Sequence, residues 1–150
     1  MFDQPVKVCP IEEMIWTKAF VMERERYDGA DIAHLLHICG ATLDWRRLLH
    51  RFGAHWRLLL NHLILIGYIY PHEKAGVPPW VMRELLQRLQ QECRVRSSIG
   101  DPVCGGTLVS REQFLVDVMH WGYVDGRLAA GVMSEAEIEA WTRAIGRTPP

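Results

Sequence analysis

The segment from Ala54 to Ile69 constrains the fold most strongly, because it is apolar around most of a helical circumference. A surface helix keeps a polar face, whereas a helix that is apolar all round is buried. The overlapping run Leu58–Tyr70 contains Asn61 and His62 and is shorter than the roughly 20 residues needed to cross a bilayer. We therefore predict a central buried helix over 54–69, no transmembrane helix and no membrane partner. Its core-forming side chains are Leu58, Leu59, Leu60, Leu63, Ile64, Leu65 and Ile66.

Four other segments repeat apolar residues at intervals of three and four, the spacing typical of an amphipathic helix. Asp44 is suited to cap one of them, and Gly40 to end another in the left-handed conformation. Ser110 and Ser134 each precede a Gln or Glu by three residues, which matches the capping box at a helix start. The predicted helices cover residues 11–22, 30–39, 45–52, 80–94, about 111–121 and about 135–145.

Residues Val6–Cys9 alternate apolar and polar side chains and are followed by Pro10, which predicts one short strand. The expected fold class is thus mainly α: a helical bundle of about six to seven helices with one short N-terminal edge strand. A lone strand needs a partner, because its backbone donors and acceptors are otherwise unpaired. Either a homodimer pairs it across a two-fold axis, or a sheet upstream receives it.

The chain divides by composition into three parts. Residues 1–95 are expected to form the strand and the helical core. Residues 96–108, rich in Gly, Ser and Pro, are expected to be a flexible loop. Residues 109–150 are expected to form a C-terminal helical pair on the same core.

Charge and cysteine usage exclude several classes of function. The 17 Lys and Arg balance 18 Asp and Glu, so no bulk positive field is available and a nucleic-acid partner is not expected. The cluster of Arg46, Arg47, Arg51 and Arg57 still offers a local site for a polyanion, or simply a polar helix face. The four cysteines form no C-x-x-C pair and the first residues do not resemble a signal peptide, which favours the cytoplasm.

Common catalytic motifs are not found in the sequence. It contains no G-x-S-x-G, no phosphate-binding loop and no dinucleotide fingerprint. Asp31, His34 and His37 recur every three residues, but metal-binding helices usually space their histidines by four, as in H-E-x-x-H. We therefore predict no metal site built from these histidines.

Two consecutive stretches, residues 6–18 and 23–32, carry a family resemblance. A strand, a Pro-x-Glu-Glu helix start, Lys18 within that helix and an Asp before the next helix resemble the bacterial nucleotidyltransferase-like superfamily of minimal and abortive-infection toxin type. Trp56-Arg57, Tyr68–Pro71 and residues 110–115 also look like the C-terminal helical region of one proteobacterial branch.

The resemblance implies roles for named residues. Lys18 stands where the family has the lysine that contacts the nucleotide triphosphate, and Asp28 matches the family aspartate better than Asp31 does. Arg24 and Arg26 are further nucleotide-binding candidates, although Glu23–Arg26 also fits a solvated, mixed-charge face. Simpler roles are open too: Lys18 can lie along a helix flank, and Asp28 can cap the second helix with Asp31 in its first turn.

The chain departs from the family in its chemistry. The family has a Gly-Ser turn followed by paired acidic residues that hold divalent metal ions, and no such string occurs here. The expectation is a truncated nucleotidyltransferase-family protein, catalytically incomplete on its own, whose enzymatic status stays open. Mg²⁺ and a nucleoside triphosphate are the implied cofactor and ligand if the family activity is retained, and none otherwise. The alternative is a non-catalytic helical interaction module or homodimer.

Overall fold

The computed structural model describes residues 7–23, 26–72, 76–94 and 102–145. They are mainly α-helical, as predicted, and their strands are only two residues long. The chain forms two compact units. The first comprises Met1–Ala19 and Asp28–Arg96, and the second comprises Phe20–Tyr27 and Ser97–Pro150.

Five α-helices build the first unit, and local signals fix several of their ends. The Asp44 carboxylate accepts a hydrogen bond from the Arg47 amide at 3.0 Å and so caps the third helix. Gly53 ends that helix at a φ of +45°, a conformation that favours glycine. Gly40 instead stays right-handed, contrary to the prediction, and its carbonyl accepts a hydrogen bond from Trp45 Nε1. The helices are α1 (Ile11–Ala19), α2 (Gly29–Cys39), α3 (Trp45–Phe52), α4 (Trp56–Ile69) and α5 (Pro79–Arg94), with a 3₁₀ turn at Gly53–His55.

Helix α4 is central, because it packs against α1, α2, α3 and α5. Leu59, Leu63 and Ile66 lie on its buried side, about one helical turn apart. Its other side is not covered by the described residues: Ile64 is 58% exposed and Tyr68 is 83% exposed. The prediction of a central buried helix is therefore correct for Leu59, Leu60, Leu63 and Ile66, and wrong for Ile64.

Charged contacts join α1 to α3 beside this core. The two carboxylate oxygens of Glu13 accept hydrogen bonds from Arg47 at 2.8 Å and from Arg51 at 2.6 Å. The Glu12 carboxylate accepts from the backbone amide of Asp44 at 2.9 Å. The acidic first turn of α1 thus holds the start of α3 in place.

The second unit contains two small sheets. Strand β1 (Met22–Glu23) pairs antiparallel with β2 (Arg26–Tyr27), and β3 (Val103–Cys104) pairs parallel with β4 (Val124–Asp125). The amide of Met22 donates to the carbonyl of Val109, which attaches β1 to this unit. The helices of this unit are α6 (Leu115–His120), α7 (Gly126–Ala129) and α8 (Glu135–Ile145), with a 3₁₀ turn at Gly105–Leu108.

A buried ion pair lies at the start of α7. The Arg127 side chain donates to the two oxygens of Asp125 at 3.0 and 2.6 Å, and both residues are almost fully buried. The same carboxylate accepts from the Arg127 amide and from the Thr107 hydroxyl. Burial alone would raise the pKa of Asp125, but hydrogen bonds from Arg127 and Thr107 hold it below its usual value.

The prediction of an N-terminal edge strand is wrong for residues 7–9. Val6 lies outside the described residues, while 7–9 form no strand and are exposed. Nothing in the described part of the chain pairs with Lys7, Val8 or Cys9. The first helix also ends earlier than predicted, because Met22 and Glu23 leave it to form β1.

The two predicted capping boxes and the predicted loop have different outcomes. The capping box of Ser134 is present, with hydrogen bonds to and from Glu137. Ser110 accepts a hydrogen bond from the Gln113 amide, but α6 begins only at Leu115. Of the loop predicted over 96–108, residues 96–101 lie outside the described residues and 103–108 form β3 and a 3₁₀ turn.

A buried histidine makes the first unit sensitive to acid. His62 of α4 is 3% exposed, and within the described residues its Nε2 has no hydrogen-bond partner. Burial lowers the pKa of His62 from 6.5 to about 4. Below about pH 6.5 His62 binds a proton in the unfolded chain but stays neutral in the folded chain. The free energy of unfolding therefore falls as the pH decreases from about 6.5 to about 4.

We expect His62→Leu to remove this acid-sensitive component, which amounts to about 3 kcal/mol at most. Urea unfolding of both proteins between pH 7 and pH 4 measures it, and the wild type should lose more stability on acidification. His34→Gln, at an exposed position of α2, is the matched control and should follow the wild type. Parallel curves for wild type and His62→Leu would contradict the assignment.

The buried ion pair of the second unit gives a second prediction. Arg127→Leu leaves the Asp125 carboxylate buried without its guanidinium, which should destabilise the unit by about 3 to 5 kcal/mol. Hydrogen exchange measured by mass spectrometry should accelerate across residues 103–129 and stay unchanged in α1–α5. Arg143→Leu, at an exposed position of α8, should cause no comparable change. Equal exchange in the two variants would show that the pair is dispensable.

Candidate functional site

Three of the residues singled out from the sequence meet at one point of the first unit. Lys18 lies in the last turn of α1, Asp28 directly precedes α2, and Asp31 lies in the first turn of α2. The Lys18 ammonium donates to Asp28 Oδ2 at 3.1 Å and to Asp31 Oδ2 at 2.7 Å. These residues, here called the Lys18 cluster, therefore bring together one cation and two carboxylates.

The three side chains of the Lys18 cluster differ in solvent exposure. The side chain of Asp28 is 11% exposed, that of Lys18 is 24% exposed and that of Asp31 is 57% exposed. Hydrogen bonds that the ammonium donates to Asp31 and then to Asp28 raise the pKa of Lys18 above its ordinary value. The ammonium is therefore positive throughout the physiological range, and Asp31 is the member most open to solvent.

Asp28 does not cap α2 with its side chain. Its backbone has a φ of −85° and a ψ of 14°, and its carboxylate makes no capping hydrogen bond. A side-chain cap normally accompanies an extended backbone at this position, which this ψ does not provide. The capping role predicted for Asp28 is thus wrong, and its carboxylate contacts Lys18 instead.

The Lys18 cluster, as described, does not include the two arginine candidates, Arg24 and Arg26. Arg24 lies outside the described residues. Arg26 is exposed in β2 and belongs to the second unit, whereas Lys18 belongs to the first. Their proposed contact with a nucleotide stays a prediction.

The histidines of α2 have separate surroundings. His34 is exposed, and His37 stacks on the ring of Tyr70 with 4.4 Å between centroids. Across the part of the chain that the structure describes, no three His, Cys, Asp or Glu side chains gather in a way that would hold a metal ion.

The four arginines of the basic cluster have different partners in the structure. Arg47 and Arg51 are bound to Glu13, and Arg57 is bound to Glu92 of α5. Arg46 instead lies over the ring of Trp80, with its Cζ 5.4 Å from the ring centroid. Three of the four thus serve as links between helices, and Arg46 alone of the four is described without a carboxylate partner.

Arg46 belongs to an open groove between α3 and α5 with a volume of about 400 Å³. The α5 residues of this groove were missed in the sequence, although Trp80, Glu84 and Arg88 follow one another at i, i+4 and i+8. That spacing places the three side chains on one face of α5. It indicates a groove only when the position of α3 opposite this face is known. The lining residues are Arg46, Leu49, His50, Gly53, Trp80, Glu84 and Arg88.

Among the described residues, no helix is both long enough and apolar enough to cross a membrane. The chain matches no family model, no curated protein and no solved structure.

Proposed function

We propose that the Lys18 cluster binds the phosphates of a nucleotide together with Mg²⁺. The chain would then be the helical part of a nucleotidyltransferase-like protein, able to bind a nucleotide but not to transfer it unaided. The observation that carries the proposal is the convergence of Lys18, Asp28 and Asp31, which the family resemblance had selected from the sequence alone. Ten residues separate Lys18 from Asp28 along the chain, so the fold has to bring them together.

Lys18 supplies the contact to phosphate. An ammonium is a compact charge with three donors, and lysine is a common ligand of nucleotide phosphates. The cluster also borders the first turn of α2, an 11-residue helix whose N-terminal end carries a partial positive charge. A phosphate at this position gains from both the ammonium and the helix end.

The carboxylates fit a magnesium ion that arrives with its nucleotide. Mg²⁺ usually binds through one or two carboxylates, substrate phosphates and waters, without an all-protein cage. Asp31, more than half exposed, would share the ion with the phosphates, while the buried Asp28 orients Lys18. A Mg²⁺ ion bound there would neutralise phosphate charge and help to orient the phosphates.

The proposal assigns binding, and not transfer, to this chain. Nucleotidyl transfer needs carboxylates that hold metal against the phosphates while an acceptor attacks in line. With Asp28 orienting Lys18, the cluster offers the metal only the single carboxylate of Asp31, and the sequence lacks the Gly-Ser turn with its acidic pair. Incubation with labelled triphosphates and Mg²⁺ is therefore expected to give no labelled protein or RNA.

The test is calorimetric titration of the whole chain with ATP and with CTP in the presence of Mg²⁺. Lys18→Ala should weaken binding about tenfold or more, because a charge-assisted hydrogen bond to phosphate is lost. Asp31→Asn should weaken binding in Mg²⁺ and have less effect in EDTA. Circular dichroism checks that the variants remain folded.

Lys7→Ala provides the matched control, since Lys7 is an exposed lysine of the N-terminal segment and should bind as the wild type does. Absence of saturable binding to the wild type, or equal binding by Lys18→Ala, would refute the assignment of this cluster.

A second candidate function is a non-catalytic helical module that pairs with a second copy of itself. Ile38 of α2 is 76% exposed, and α4 exposes Ile64 and Tyr68 one helical turn apart. Apolar side chains at such exposure are a common feature of association surfaces. This candidate differs from the first in needing no nucleotide.

If this second function holds, sedimentation velocity should detect a dimer of the wild-type chain. Tyr68→Lys should then weaken dimerisation about tenfold or more, because a buried tyrosine commonly dominates such contacts. Val8→Pro is the control for pairing through the N-terminal segment and should leave the dimer intact. A wild-type chain that is monomeric at every concentration would exclude this candidate.

A further inference from the structure

The groove between α3 and α5 is built from two facing rows of side chains. Arg46 and His50 stand one turn apart on α3, and Trp80, Glu84 and Arg88 follow at one-turn intervals on α5. The α5 row extends about 12 Å along the helix axis, since each residue adds about 1.5 Å. The groove is therefore long enough for a ligand with two distinct ends.

Its charges favour an anion at the Arg46 end. Arg88 is bound to Glu84 on the same helix, so these two charges offset each other. Arg46 has a ring contact and, within the described residues, no carboxylate contact. A negative group entering the groove thus meets one uncompensated guanidinium.

Trp80 adds a flat ring next to that positive charge. Its indole is partly exposed, and the Cζ of Arg46 lies over the ring at 5.4 Å from the centroid. Aromatic side chains beside basic ones recur where proteins bind single nucleotides or single strands, because a base stacks on the ring while its phosphate meets the cation. Glu84 and Arg88, farther along the row, offer an acceptor and donors to the edge of such a base.

We propose that this groove binds a nucleotide unit, with the phosphate at Arg46 and the base against Trp80. The unit can be a free nucleotide or one residue of a single-stranded nucleic acid, because both present the same phosphate and base. The groove shares no residue with the Lys18 cluster, so the inference does not depend on the proposed function.

The test is calorimetric titration of the full chain, without Mg²⁺, with adenosine monophosphate and with hexaadenylate. Adenosine and ribose 5-phosphate serve as ligands that lack the phosphate or the base. At least one of the two nucleotide ligands should bind more tightly than either fragment. Tighter binding of hexaadenylate, with strong salt dependence, identifies the nucleic acid as the source, and equal binding identifies the free nucleotide.

Variants locate the binding. Arg46→Gln and Trp80→Leu should each weaken it about tenfold, the size expected for loss of one phosphate contact or one stacked base. Arg83→Gln, at an exposed position of α5 outside the groove, is the matched control and should bind normally. Because Arg46 is exposed, Arg46→Gln tests the groove even if Trp80→Leu fails to fold.

Lys18→Ala separates this inference from the proposed function. Groove binding should survive in Lys18→Ala even if the Lys18 cluster binds nothing. Failure of both nucleotide ligands to bind, or binding that Arg46→Gln leaves unchanged, would overturn the inference.

Discussion

Burial of one face of α4 is the constraint on which the first unit depends. Leu59, Leu63 and Ile66 are each at most 4% exposed, and burying such a side chain is worth about 1.5 to 3 kcal/mol. Four helices share this face, so their positions are set relative to one another through α4. The same burial encloses His62 and disfavours its charged form. One packing requirement therefore provides both the stability of the unit and its sensitivity to acid.

Charge pairing then determines which of the described arginines have a carboxylate partner. Glu13 binds two arginines of α3, and Glu92 binds Arg57 of α4, so those cations hold helices together. Arg46 is one position before Arg47, yet it points towards α5 and lies over Trp80. Neighbouring residues of identical chemistry thus have different roles, because a helix turns about 100° at each residue.

The two proposed sites differ in their chemistry. At the Lys18 cluster one ammonium is shared by two carboxylates, which suits a ligand that brings a cation with its phosphates. In the groove one guanidinium stands beside an aromatic ring, which suits a phosphate attached to a base. The proposal for the Lys18 cluster also places an anion near the first turn of α2, where the backbone amides favour negative charge.

The sequence by itself determined what depends on neighbours three or four residues apart. The helical segments, the Asp44 cap and the capping box at Ser134 follow from periodicity and local hydrogen bonds, and they are present, with α1 and α6 shorter than predicted. The residues of the Lys18 cluster could be named in advance through family resemblance, while their mutual contact could not. Strand pairing could not be predicted from the sequence either. Residues 7–9 alternate as a strand does, yet β1 forms at Met22–Glu23.

Only the tertiary structure decided which of these groups meet. Arg57 and Glu92 are 35 residues apart, and Asp28 could equally have capped α2 or paired with Lys18. The uncovered face of α4 and the groove at Trp80 likewise depend on where other helices pack. Such contacts are settled by the placement of whole helices around a shared core, which no local pattern of residues encodes.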